Sequence, residues 1–235
     1  MQPSMLGAFV CLVGTTAACS GGGGGGGGGS SSAIRTPPPA PGSGSAAAPA
    51  AAPASPAGSG SAELPQPLAG DPPWLLPAGW RTEVIPFPLD FAPTIAHRGA
   101  EVLRFPPGFL DPTSGNYWSY AFLWRTEDPA QLDAAALGAE LTAYFRGLID
   151  AVDEQKRVQA RDEIVARAAP AGAGRFQVTA HVFDAFKTAA PLDLTGTAER
   201  RRCRAGALWV FVLAPSTSAI RPRLEELARA ASCAR

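Results

Sequence analysis

Tyr117-Trp118-Ser119-Tyr120-Ala121-Phe122-Leu123-Trp124-Arg125 is the stretch whose reading decides the fold. Trp118, Tyr120, Phe122 and Trp124 fall on one side of an extended chain, with Ser119, Ala121 and Leu123 on the other. That period of two is a strand's. Further on, Leu137, Leu141, Tyr144, Phe145, Leu148 and Val152 recur at the spacing of a helix with one apolar stripe. The helix is predicted to start at Asp128 as N-cap, with Pro129 at its first position and Gln131 where a capping box closes. An aromatic strand face followed at once by an apolar helix stripe predicts that the two pack together.

Working outward, Asp153-Glu154-Gln155-Lys156-Arg157 continues the helix or turns, and Glu163 to Ala168 suits strand or helix. Strand is preferred there, because Pro170-Ala171-Gly172-Ala173-Gly174 reads as a hairpin connection to the next strand, Arg175 to Asp184. Leu192 to Cys203 and Ala207 to Leu213 form a second hairpin, turning at Arg204-Ala205-Gly206. Leu208 to Leu213 is apolar on both faces, as a doubly covered central strand requires. A last helix is predicted over about Ser218 to Ser232, with Ile220, Leu224, Leu227, Ala228 and Ala231 on its stripe. On the other side, Glu101 to Phe105 reads as a short strand. Ile85, Phe87, Leu89 and Phe91 alternate with prolines, which places them in an extended edge segment. The expected fold class is α+β: an antiparallel sheet of five to six strands with two main helices, preceded by a disordered N-terminal spacer.

The chain's composition divides it. Residues 1–63 carry only Arg35 and Glu63 as charges, and every aromatic but Phe9 lies beyond residue 73. Gly21 to Gly29 and the Ala/Pro/Ser/Gly mixture to Ser61 hold no side chain that builds a core. Met5 to Val13 has the length of a signal-peptide core, and Thr16-Ala17-Ala18-Cys19 after it resembles the lipobox of bacterial lipoproteins. That resemblance implies a leader at 1–18, lipid on Cys19, a spacer at 19–63 and one domain at 64–235. Met1-Gln2-Pro3-Ser4 lacks the usual positive charge, and Thr16 stands where leucine is commonest, so cleavage after Ala18 without lipidation is the rival. The expected location is the bacterial cell envelope, at the outer membrane or its periplasmic face, with the membrane as first partner through the N-terminal lipid. Lys+Arg and Asp+Glu are both 20, so there is no net field to draw nucleic acid, and none is expected as a partner.

Two stretches resemble a family of uncharacterised bacterial secreted or lipid-anchored proteins. One runs from Gly79-Trp80-Arg81-Thr82-Glu83 to Tyr117-Trp118-Ser119-Tyr120-Ala121-Phe122; the other is Phe183-Asp184-Ala185-Phe186-Lys187-Thr188. Val212-Leu213-Ala214-Pro215 before an amphipathic helix is similar to the Mog1/PsbP-type α/β/α fold, which implies a small binding or assembly module.

With Cys11 in the leader and Cys19 lipidated, Cys203 and Cys233 remain. The strand at 207–213 leads away from the 204–206 turn for roughly 20 Å, and the last helix returns over a similar length. Cys233 is thereby brought beside Cys203, and a disulfide is predicted. Chemistry is sparse. His181 and Asp184 are the one pair that suits an acid/base or metal-assisted hydrolase; His97 sits in a turn near Asp90 and Glu101. There is no HExxH, CxxC, G-x-S-x-G or phosphate-binding loop. No cofactor, metal or catalytic set is expected. Arg200-Arg201-Arg202-Cys203-Arg204 reads as a solvated hairpin end, with anionic lipid or an acidic glycan as the sharper alternative. Trp118, Tyr120 and Trp124, with His181 and Asp184, form the candidate ligand surface, although the aromatic stripe also suits packing beneath the helix. The leading expectation is a non-catalytic binding or assembly module with an unknown protein or glycan partner; the alternative is an envelope enzyme using His181 and Asp184.

Overall fold

Alternating apolar residues on consecutive, hairpin-linked strands bury one sheet face, and the computed structural model, which describes residues 74–127 and 131–233, has that form. The leader, Cys19, the spacer, and Asp128 with Pro129 lie outside the described residues. The strands are β1 (Arg81–Phe87), β2 (Gly99–Phe105), β3 (Tyr120–Thr126), β4 (Val165–Pro170), β5 (Arg175–Phe183), β6 (Pro191–Arg202) and β7 (Ala207–Pro215). Helix α1 (Ala134–Val152) follows β3, a 3₁₀ turn spans Arg161–Glu163, and α2 (Arg221–Ala230) follows β7. All seven strands join one antiparallel sheet in the order β1-β2-β3-β7-β6-β5-β4. The fold is α+β with two main helices, and the proline-bearing edge segment supplies the seventh strand.

Helix α1 covers one face. Leu137, Leu141, Tyr144, Phe145 and Ile149 pack on Leu103, Phe122, Trp124, Val178, Val182 and Phe211. On the other face α2 sets Leu224, Leu227 and Ala228 against Ala121, Leu123, Leu208, Val210 and Val212. Strands β3 and β7 are therefore buried on both sides, as the unbroken apolar run at 208–213 requires. Helix α2 packs on β3 and β7 and reaches β6 through Arg221, which donates to Thr195, and through Arg201. Beyond it the second face of β6, β5 and β4 stays open, presenting Thr197, Gln177, Thr179, His181 and Arg167.

Two predicted starts move. Strand β3 begins at Tyr120 because Trp118 has a φ of 49°, a left-handed conformation that costs a bulky residue about 1–2 kcal/mol. It is held there by its amide on the Phe109 carbonyl (3.0 Å) and its indole N–H on Asp184 (3.2 Å). Helix α1 starts five residues after Asp128, where the Asp133 carboxylate accepts from the Ala136 amide at 2.8 Å.

The sheet edges are closed by different means. On β4, the Ala166 amide donates to the Thr142 hydroxyl of α1 at 2.9 Å. Gly138 of α1 comes close enough to the strand that an added Cβ would stand 3.2 Å from the Ala166 carbonyl. On β1, Pro86 removes one ladder donor. At the C-terminus Cys203 and Cys233 form a disulfide with Cα atoms 5.5 Å apart, and Arg201 reinforces it by donating to the Ala228 and Ala231 carbonyls at the end of α2.

Candidate functional site

His181 and Asp184 do not share a network. His181 lies on the open sheet face, where its Nδ1 meets Asp193 Oδ1 at 2.7 Å. Asp184, just past the end of β5, is buried and surrounded by donors. Its Oδ1 accepts from the Trp118 indole (3.2 Å) and the Phe186 and Lys187 amides (3.2 and 3.1 Å). Its Oδ2 accepts from the Thr188 amide (2.6 Å), the Thr188 hydroxyl (2.8 Å) and the Tyr117 hydroxyl. Burial alone would raise its pKa, but the Tyr117, Thr188 and Trp118 hydrogen bonds outweigh that and hold it below the ordinary aspartate value. A carboxylate so occupied shapes the loop at 184–190 and has little capacity left to act on a ligand.

The aromatic surface is also corrected. Trp118, Tyr120 and Trp124 are 1, 2 and 0% exposed, because Tyr144 and its neighbours on α1 lie over this stripe; Tyr144 stacks on Phe122 at 5.9 Å. His97, expected in a turn near Asp90 and Glu101, is buried and meets Glu140 of α1 through its Nε2 at 2.9 Å. The arginine cluster is dispersed by the alternation of β6, and Arg201 serves the end of α2. Among the described residues no group of three or more His, Cys, Asp or Glu is placed to hold a metal ion, and no helix is long and apolar enough to cross a membrane.

The structure brings together a site of which the candidate ligand surface named only Trp118 and Tyr120. Between β1, β2, β3 and the C-terminal half of α1 lies a cavity of about 30 Å³. Its walls are Leu103, Phe105, Phe109, Trp118, Leu148 and Phe186, together with three oxygen-bearing side chains, Glu83, Tyr120 and Tyr144. Gly147 lets the chain after β1 close over α1 here; a Cβ at that position would stand 1.8 Å from the Phe91 carbonyl. Glu101 lies behind the wall, on the same sheet face as Glu83 and one diagonal step away. It is 0% exposed. Its Oε1 accepts from the Trp124 indole at 3.1 Å.

This corner is short of donors and of cations. Among the described residues the Tyr120 hydroxyl and Glu101 Oε2 have no hydrogen-bond partner. Burial raises Glu101 to about 8, against the lowering effect of Trp124 and Tyr144. Burial likewise raises Glu83 to about 7, with Arg81 pulling the other way. Tyr120 and Tyr144 are both pushed far up by burial and by the charge of Glu101. Near neutral pH Glu101, Tyr120 and Tyr144 therefore mostly hold their protons while Glu83 is partly ionised, in an otherwise apolar pocket.

A second, wider depression of about 320 Å³ runs on the open face between β5, β6 and α2. Gln177, Thr197, Arg175, Glu199, Glu225 and Arg229 line it, so it carries both signs of charge. Within that lining Glu199 pairs with Arg201 at 3.1 Å and with Arg175 at 3.6 Å.

No protein-family model, no curated protein and no solved structure matches this chain.

Proposed function

We propose that the chain is an exported, lipid-anchored module of the bacterial cell envelope that binds a ligand or partner and catalyses no reaction. The observation that carries this reading is the Cys203–Cys233 disulfide. Such a bridge persists in oxidising compartments, and the remaining cysteines, Cys11 and Cys19, both fall in or directly after a signal-like leader. A neutral chain with a Gly/Ala/Pro/Ser stretch that carries only Arg35 and Glu63 as charges between leader and domain suits a tether from a membrane. The separation of His181 from Asp184 into unrelated networks speaks for binding and against the hydrolase alternative. The open polar face of β6, β5 and β4, with its mixed-charge depression beside α2, suits contact with a protein or glycan partner.

Mass spectrometry of the mature protein from the membrane fraction tests the anchor. A cleaved, diacylated or triacylated Cys19 is expected, and Cys19→Ser shifts the product out of that fraction. An unmodified residue 1 with all four thiols free to alkylation overturns the reading. The bridge itself closes a loop of 30 residues, so Cys203→Ser with Cys233→Ser is expected to cost about 3 kcal/mol in urea unfolding.

A further inference from the structure

The cavity beneath the C-terminal half of α1 has an unusual inventory for a pocket of its size. Most of its wall is aromatic, from Phe91, Phe105, Phe109, Trp118 and Phe186. Its remaining polar content is the Glu83 carboxyl of β1 and the hydroxyls of Tyr120 of β3 and Tyr144 of α1, which can donate as well as accept, Tyr144 being hydrogen-bonded to Glu101. One of these, the Tyr120 hydroxyl, is buried without a partner, as is Glu101 Oε2 behind the wall. Arg81 is the cation whose charge bears on Glu83, and none among the described residues bears on Glu101. Aromatic faces carry partial negative charge, so the rings among these walls can add to the lone pairs of Glu83, Tyr120 and Tyr144, while Ile85, Leu103, Leu148 and Val152 are purely apolar.

We propose that this cavity is a binding site for the ammonium head of a small aliphatic primary amine. Three N–H donors of the head meet three acceptor oxygens, on Glu83, Tyr120 and Tyr144. The surrounding rings supply the cation–π attraction that compensates for lost hydration. A volume of about 30 Å³ holds the head and no more, so the aliphatic tail has to lie outside it. A charged head enters such a place only as an ion pair. Glu83 is the partner, because it lines the space and gives up its proton at about 7, whereas Glu101 behind it retains its own to about 8. Arg81 on β1, Glu101 on β2, Tyr120 on β3 and Tyr144 on α1 are the other titratable groups facing Glu83, and of these only Glu101 titrates close to neutrality.

The inference rests on reading the domain as a binding module, and it is independent of the anchor. The test titrates the full mature chain with n-butylammonium and, separately, with 1-butanol, which has the same chain length and no charge. Trp118 in the wall gives a fluorescence readout, and calorimetry in buffers of different ionisation enthalpy counts protons. Expected are saturable binding of the amine at least about tenfold tighter than of the alcohol, and affinity rising up to about tenfold from pH 6 to pH 8 as Glu83 ionises. Proton release at pH 7 is also expected, and both pH effects shrink in Glu83→Gln, where Glu101 is the group left to titrate close to neutrality. Equal affinity for amine and alcohol, no saturation by either, or a pH profile unchanged in Glu83→Gln overturns the site. Those results leave the acylated Cys19 and the open polar face untouched, so failure here is distinct from failure of the module reading. Glu83 lies on an edge strand and is partly exposed, and an unchanged circular dichroism spectrum establishes that the variant is folded.

Discussion

Asp184 and Glu101 are both acids buried in the same domain, 1 and 0% exposed, and their surroundings push them in opposite directions. In the loop at 184–190 the chain turns three backbone amides, two hydroxyls and an indole toward one carboxylate. Beneath α1 it offers Glu101 the Trp124 indole and the neighbouring Tyr144, and leaves one oxygen without a partner. The first acid lies below its ordinary pKa and the second rises to about 8. Burial is common to both, so donors decide the charge state. An acid that closes its own hydrogen-bond account builds structure; an acid left short of donors and cations marks a place where something else can bind.

The comparison breaks first at Asp184. Asp184→Ala strands donors from Tyr117, Trp118 and the loop amides at once, and it also releases the clamp that holds Trp118 in its left-handed conformation. Removing the acceptor of such a buried network is expected to cost about 3–5 kcal/mol in urea unfolding. A loss under about 1 kcal/mol would mean that the loop does not depend on the carboxylate. Because the folded pKa is depressed, the contribution of Asp184 is present above the ordinary aspartate value and disappears as pH falls through the folded one.

Glu101 has the opposite sign. Its folded pKa, about 8, exceeds the ordinary value of 4.5, so its contribution is complete below about pH 4.5 and is lost as pH rises through about 8. Glu101→Gln, which has nothing to ionise, is expected to lose this decline. At pH 9 the variant should exceed the wild type by about 2–4 kcal/mol, while the two are close at pH 4.5. Parallel stability curves across that range would show that Glu101 is ionised in the native state at neutral pH, and the contrast with Asp184 would collapse.

How much of this could be read from residues alone follows the range of the interactions. Strands with a clear period, such as Arg175–Phe183 and the doubly apolar 207–213 run, were legible because side-chain alternation is local. The disulfide was legible too, since one strand and one helix of similar length bring the chain back to where it started. The start of α1 was not, because Ala134, Ala135 and Ala136 carry no pattern and the more conspicuous Asp-Pro pair lies upstream of the real cap, Asp133. The cavity was beyond reach for a deeper reason. Glu83, Glu101, Tyr120 and Tyr144 come from four separate elements, and each reads locally as an ordinary strand or helix residue. Asp184 looked like a partner for His181 from a spacing of three, yet past the strand end the chain turns inward and the two separate.

His181 supplies the smallest effect and the sharpest control. It meets Asp193 at 2.7 Å, with side chains 34 and 81% exposed, on the face that α2 leaves uncovered. A polar pair in that position gains little over its hydration, and exposed ion pairs are worth a few tenths of a kcal/mol. His181→Ala is therefore expected to change the unfolding free energy by less than about 0.5 kcal/mol and to leave the pH profile of Glu101→Gln as it was. Were the histidine coupled to either buried acid, its removal would shift that profile along the pH axis. A null result would show that the contrast between Glu101 and Asp184 does not involve His181, and it would leave that histidine to whatever partner meets the open face.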